Sequence, residues 1–89
     1  MIKSLSIKLS GKVQGVGFRF YTQKTALEMG VCGFVKNERD GTVYIEVEED
    51  VEKIELFVHW VKKGPEWARV DDVRIQEIPV QKFKGFEIR

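Results

Sequence analysis

Gly11-Lys12-Val13-Gln14-Gly15-Val16-Gly17-Phe18-Arg19 is the stretch in which the chain changes period. Before it, Leu5, Ile7 and Leu9 point one way and Ser4, Ser6, Lys8 and Ser10 the other. Strict alternation marks a half-buried strand. After it, Phe18, Tyr21, Thr22, Thr25, Ala26 and Met29 recur at helical spacing, counting the threonine methyls. Gly30 follows as the residue just past the helix, where positive φ is wanted. With glycines at 11, 15 and 17, the junction itself reads as a loop between a strand and a helix.

Outward from there, Val31 to Lys36 is β-branched and aromatic, a short strand. Asn37-Glu38-Arg39-Asp40-Gly41 is a turn, with Asp-Gly as the hairpin signal. Val43, Ile45 and Val47 alternate with Tyr44, Glu46 and Glu48 on the returning strand. Asp50 is placed to cap a second helix whose apolar face is Val51, Ile54, Phe57, Val58 and Val61. Gly64-Pro65 ends it. A fourth strand covers Arg69 to Ile78, stopped by Pro79, and Gly85 to Arg89 has the length of a short edge strand. Each helix carries one apolar stripe, so each covers the sheet from one side. The order β-α-β-β-α-β, with room for a short fifth strand, predicts an α+β fold. It is a ferredoxin-like α/β sandwich with two helices on one face of a mixed, mainly antiparallel sheet. That order also suits RNA-recognition and small regulatory domains, so the fold alone does not fix the function.

Composition narrows the field. At 89 residues, the expectation is one domain over 1–89. Fifteen basic against 14 acidic residues leave a net charge of +1, which weighs against a nucleic-acid partner held by its backbone. No stretch approaches 18 apolar residues, so no membrane span is expected. Met1-Ile2-Lys3-Ser4-Leu5-Ser6-Ile7-Lys8 lacks the apolar core of a secretory signal. One cysteine excludes a disulfide framework and a Cys-built zinc site, and fits a reducing, cytoplasmic setting. No extended apolar surface shows in the pattern, so a monomer is expected.

Two places can carry chemistry. In the 11–19 loop, glycines allow successive backbone N–H groups to converge on one point. The helix N-terminus adds about half a positive charge there. Together they form an anion site, and Arg19 in the first turn offers a planar fork matched to phosphate oxygens. The alternative is a tight loop whose glycines serve geometry alone. No Gly-Lys-Ser/Thr follows, so this is not an NTP loop, and position 20 lacks the third glycine of a dinucleotide fingerprint. The second place is Asn37, whose amide can orient a water through both its carbonyl and its NH₂. Its bland reading is the start of a turn.

The residues Gly11-Lys12-Val13-Gln14-Gly15-Val16-Gly17-Phe18-Arg19 followed by Gly33-Phe34-Val35-Lys36-Asn37-Glu38-Arg39-Asp40-Gly41 resemble the acylphosphatase family. Gly64-Pro65-Glu66-Trp67-Ala68-Arg69-Val70 and the closing Gly85-Phe86-Glu87-Ile88-Arg89 extend the resemblance over the whole chain. It implies hydrolysis of small acyl phosphates to a carboxylate and inorganic phosphate, with no metal and no cofactor. It also implies that Arg19 binds the substrate phosphate with amides of the loop Gln14, Gly15, Val16, Gly17, Phe18 and Arg19, and that Asn37 positions the attacking water. Trp67 stands where a smaller apolar residue is more usual, and the chain ends on Arg89 where many members end on an aromatic.

Other candidates carry less. Cys32 lies in an apolar strand with no nearby His, which suits a structural thiol. His59 sits between Val58 and Trp60 as a packing residue, and Asp71-Asp72 lacks a third metal ligand. Glu46, Glu48, Glu49, Asp50 and Glu52 read as a solvated face that discourages edge-to-edge pairing. Two rival functions follow from the same fold. One is a non-catalytic anion or metabolite sensor built on the loop, for which a water-positioning Asn37 is superfluous. The other is an RNA module, for which Tyr44, sharing its face with Glu46 and Glu48, is a poor stacking surface.

Overall fold

The computed structural model describes residues 1–89. Its elements run β1 (Ile2–Lys12), α1 (Phe18–Met29), β2 (Cys32–Asn37), β3 (Val43–Asp50), α2 (Val51–Lys63), β4 (Arg69–Ile78) and β5 (Phe86–Ile88). The five strands form one sheet in the order β4-β1-β3-β2-β5. All neighbours are antiparallel except β2 and β5. The ferredoxin-like sandwich expected from the sequence is therefore observed, and the short fifth strand exists as a parallel edge.

Local signals set the element ends. Gly30 takes φ 73°, its N–H bonding to Leu27, while the Val31 N–H reaches Ala26. That paired closure satisfies the last carbonyls of α1. Asp50 Oδ1 accepts the Glu52 N–H at 3.1 Å and caps α2 as its position implied. Asp40 Oδ1 accepts both the Thr42 N–H and the Thr42 hydroxyl, at 3.0 and 2.6 Å, fixing the β2–β3 turn.

The register lays one apolar row across all five strands: Ile75, Ile7, Ile45, Val35 and Ile88. Its middle three residues have no exposure, and the helices lie over them. Ile54, Phe57 and Val61 of α2 and Phe18 and Ala26 of α1 close the core. Phe57 meets Trp60 and Phe86, with ring centroids 6.4 and 6.2 Å apart. Tyr21, expected on the inner face of α1, is instead exposed. Its ring lies against Gly17 and edge-on to Phe20, 5.2 Å between centroids, over the loop rather than the sheet.

The acidic run is not a uniformly solvated face. Glu48 is buried at 6% exposure, and its carboxylate accepts the backbone N–H groups of Gln81 at 2.6 Å and Phe83 at 3.1 Å. A carboxylate can be buried where backbone amides satisfy its oxygens. Nor does the run guard an edge, because β3 is the middle strand and β4 and β5 are the edges. The segment between β4 and β5 is thereby tied to the sheet. On the same face, Phe34 is covered by Phe83 and by the Arg89 guanidinium, 4.0 Å from its ring.

Candidate functional site

The strand–loop–helix junction and the end of β2 meet in one cleft. Val13, Gly15, Gly17, Phe18, Arg19, Phe20, Asn37 and Ile88 line it, and its volume is about 270 Å³. Gly15 and Gly17 adopt φ 73° and 76°, a left-handed backbone that ordinary side chains resist. Gly17 is the N-cap of α1 and brings no side-chain cap, and the first turn holds no acidic residue. The Tyr21 N–H makes the first bond of the helix, to the Gly17 carbonyl at 3.0 Å. The amides of Phe18 and Arg19 have no helical partner at this end. Those of Gly15, Val16 and Gly17 donate to no backbone carbonyl. An uncapped helix start behind a glycine loop presents the free N–H donors that an anion site requires.

Arg19 supplies the mobile charge. Three of the five arginines pair with a carboxylate two residues away: Arg69 with Asp71, Arg74 with Asp72 and Arg89 with Glu87. Arg19 is in none of the seven ion pairs of the molecule, and it lines the cleft.

Asn37 lines the same cleft from the end of β2. Its Oδ1 is buried without a hydrogen-bond donor from the protein. A buried carbonyl oxygen of this kind calls for a donor from outside the chain.

Gln14 turns away from the cleft. Both of its amide hydrogens are used, Nε2 donating to the Glu38 carbonyl at 2.8 Å and the Thr42 carbonyl at 2.9 Å. It thus straps the loop to the hairpin that carries Asn37. Val16 packs on the core. Of the six loop residues expected at the site, Gly15, Gly17, Phe18 and Arg19 line the cleft, whereas the Gln14 and Val16 side chains do not. Phe20 and Ile88 line it without having been expected there. Phe20 follows Arg19 directly, so its place in the first turn was available from the sequence. Ile88 enters only through the parallel pairing of β5 with β2.

Trp67 is 70% exposed and lines a different cleft, with Tyr21, Lys24 and Trp60. Arg89 lies over Phe34 and does not line the site. Cys32 is half-buried, its Sγ 4.0 Å from Glu49 Oε1. Nowhere do three His, Cys, Asp or Glu side chains converge as a metal-binding group. No helix is long and apolar enough to cross a membrane.

Fold and cleft together define a small α/β sandwich with a glycine-loop cleft at its first strand–helix junction. A family model described as acylphosphatase matches residues 5–88. An acylphosphatase of Aliivibrio fischeri is 40% identical over 86 residues, covering 97% of this chain and 96% of that one. One of Thermus thermophilus is 44% identical over 80 residues, covering 90% and 91%. The crystal structure of the Bacillus subtilis acylphosphatase superposes with a TM-score of 0.94 at 34% identity, covering 100% of this chain and 99% of that one. This chain belongs to the acylphosphatase family, an enzyme family of hydrolases, and its activity is that of the family.

Proposed function

We propose that this chain, as a single catalytic domain, cleaves the carboxyl–phosphate bond of small acyl phosphates, with Arg19 and the loop amides binding the phosphoryl group and Asn37 holding the attacking water. One observation carries the reading. The unpaired Arg19, the uncapped start of α1 and the donorless Oδ1 of Asn37 share one cleft. A passive anion sensor needs the first two and has no use for the third.

The chemistry suits so spare a site. A carboxylate is a weak base and leaves without being protonated. Phosphoryl transfer rests mainly on positioning and on stabilising the equatorial oxygens, which the loop amides and Arg19 supply. Asn37 Oδ1 accepts one hydrogen of the water and turns its oxygen toward phosphorus. The oxygen–phosphorus bond forms as the phosphorus–carboxylate bond breaks, and the water's proton passes to a phosphoryl oxygen. No protein base and no metal take part. The working unit in this reading is a monomer, and the lone cysteine fits a reducing, cytoplasmic setting.

The test is hydrolysis of benzoyl phosphate followed by absorbance in EDTA, with inorganic phosphate as a competitive inhibitor. Arg19→Gln lowers turnover by about 10²–10³-fold, as loss of a charge-stabilising donor does, and phosphate inhibition goes with it. Asn37→Ala loses turnover while phosphate still inhibits. Equal loss of phosphate binding in both variants refutes the division of roles, and abolition of activity by EDTA refutes the metal-free mechanism. Light scattering on an eluting column checks the monomer.

A further inference from the structure

Both tryptophans of the chain line a second cleft, which shares no residue with the one that holds Arg19. Its volume is about 330 Å³. Tyr21, Lys24 and Glu28 come from α1, Trp60 from α2, and Glu66 and Trp67 from the connection between α2 and β4. The Trp60 ring is fixed from behind by Phe18 and Phe57. Tyr21 is 41% exposed and Trp67 70% exposed. Rings of this size left in water around one cleft mark an interaction surface, and Trp and Tyr are the residues that most often anchor one. Elsewhere the chain lays its own cations over its rings. The Arg89 guanidinium is 4.0 Å from the centre of the Phe34 ring, and Lys36 Nζ is 5.6 Å from that of Tyr44. No ring and no cation of the protein lies over Trp67. The charges beside it agree. Glu66 is in none of the ion pairs, and Glu28 meets only Lys24, at 3.5 Å, so two carboxylates face one ammonium.

We propose that this cleft docks an arginine side chain presented by a partner polypeptide. A guanidinium stacks its flat face on an indole and turns its edge, with paired N–H donors, to a carboxylate. Trp67 and Glu66 supply those two partners in one cleft. A lysine ammonium brings the charge without the flat face or the fork. Free arginine fits less well than an arginine within a chain. Its own α-carboxylate would enter a cleft with an acidic excess, where the one cation, Lys24, is already engaged by Glu28.

The experiment follows the indole N–H signals of Trp60 and Trp67 by NMR as a glycine–arginine–glycine peptide, blocked at both ends, is added to the isotope-labelled protein. The expected result is a saturable shift of both signals, with a dissociation constant of about millimolar size for a single docked side chain. The same peptide with citrulline, which keeps the shape and lacks the charge, shifts neither signal, and the lysine peptide binds more weakly. Trp67→Ala weakens binding, read at Trp60, by roughly two- to thirtyfold, the span from an exposed to a desolvated cation–aromatic contact. Glu66→Gln weakens it too, and both variants melt with the wild type and hydrolyse benzoyl phosphate at its rate. Equal shifts from the citrulline and arginine peptides, or none from the arginine peptide, overturn the proposal. Free arginine that binds as tightly as the blocked peptide overturns the polypeptide partner and makes the cleft a small-molecule site.

Discussion

Gly33 is the second residue of the strand that ends at Asn37, and it takes φ 143°. A Cβ there would run into the Glu46 carbonyl oxygen on the neighbouring strand, where backbone rather than a yielding side chain stands. The motif glycine is thus set by a close approach of two backbones as well as by its dihedral. Gly33→Ala combines a strained dihedral with an overpacked contact, each costing about 1–3 kcal/mol, and is expected to destabilise the protein by about 2–6 kcal/mol. A urea titration reads the loss, and a midpoint near that of the wild type refutes the clash. Gly15 is a contrast: it also has positive φ, but nothing lies within 4 Å of its would-be Cβ. At the residue scale, then, glycines that look alike in a motif have different reasons, and only the packing separates them.

At the scale of elements, the site is a junction between a loop and a hairpin, and two polar contacts make it rigid. Gln14 is the first. Its amide donates to the carbonyls of Glu38 and Thr42, so Gln14→Leu removes one of two donors at each and leaves only the backbone N–H groups of Gly41 and Glu38. A loss of about 1–3 kcal/mol follows. Turnover should fall further than phosphate inhibition, because the Asn37 strand shifts against the loop while the loop keeps its glycines and Arg19. Retention of full turnover would dismiss this strap. Asp40 is the second. Hydrogen bonds from the Thr42 hydroxyl and N–H, with Lys8 3.2 Å away, hold its carboxyl down from an ordinary 3.8 to about 2. The folded state binds the proton more weakly than the unfolded one. The contribution of Asp40 is therefore complete above about pH 4 and is lost as pH falls toward 2. Denaturation midpoints of the wild type and Asp40→Asn should differ at pH 6 and converge near pH 2, and a constant gap would contradict this account.

Across the whole molecule, β4 and β5 lie at opposite edges of the sheet and are joined by residues 79–85. That crossing is anchored at the centre by Glu48 of β3. The anchor matters to the site because β5 delivers Phe86 to the core and Ile88 to the cleft. Glu48→Ala would remove the acceptor of the Gln81 and Phe83 amides, a loss of about 1.5–3 kcal/mol for each bond to the charged carboxylate. Hydrogen exchange at these two amides should accelerate most, with β5 following. Uniform acceleration over the whole sheet would show instead that Glu48 acts on global stability alone.

What could be read along the chain was whatever a few neighbouring residues decide. Period two before Gly11 and helical period after Phe18, Asp50 at a helix start, Gly30 past a helix end and Asp40-Gly41 in a turn act through bonds spanning two to five residues. The same holds for the glycine loop and Arg19, which share one stretch. The sheet order, the burial of Glu48, the inward strap of Gln14 and the arrival of Ile88 in the cleft of Arg19 depend on residues dozens of positions apart. A local pattern shows that a residue is acidic or apolar; only the packed chain shows whether backbone amides meet the acid and whether a cleft lies beside the apolar ring.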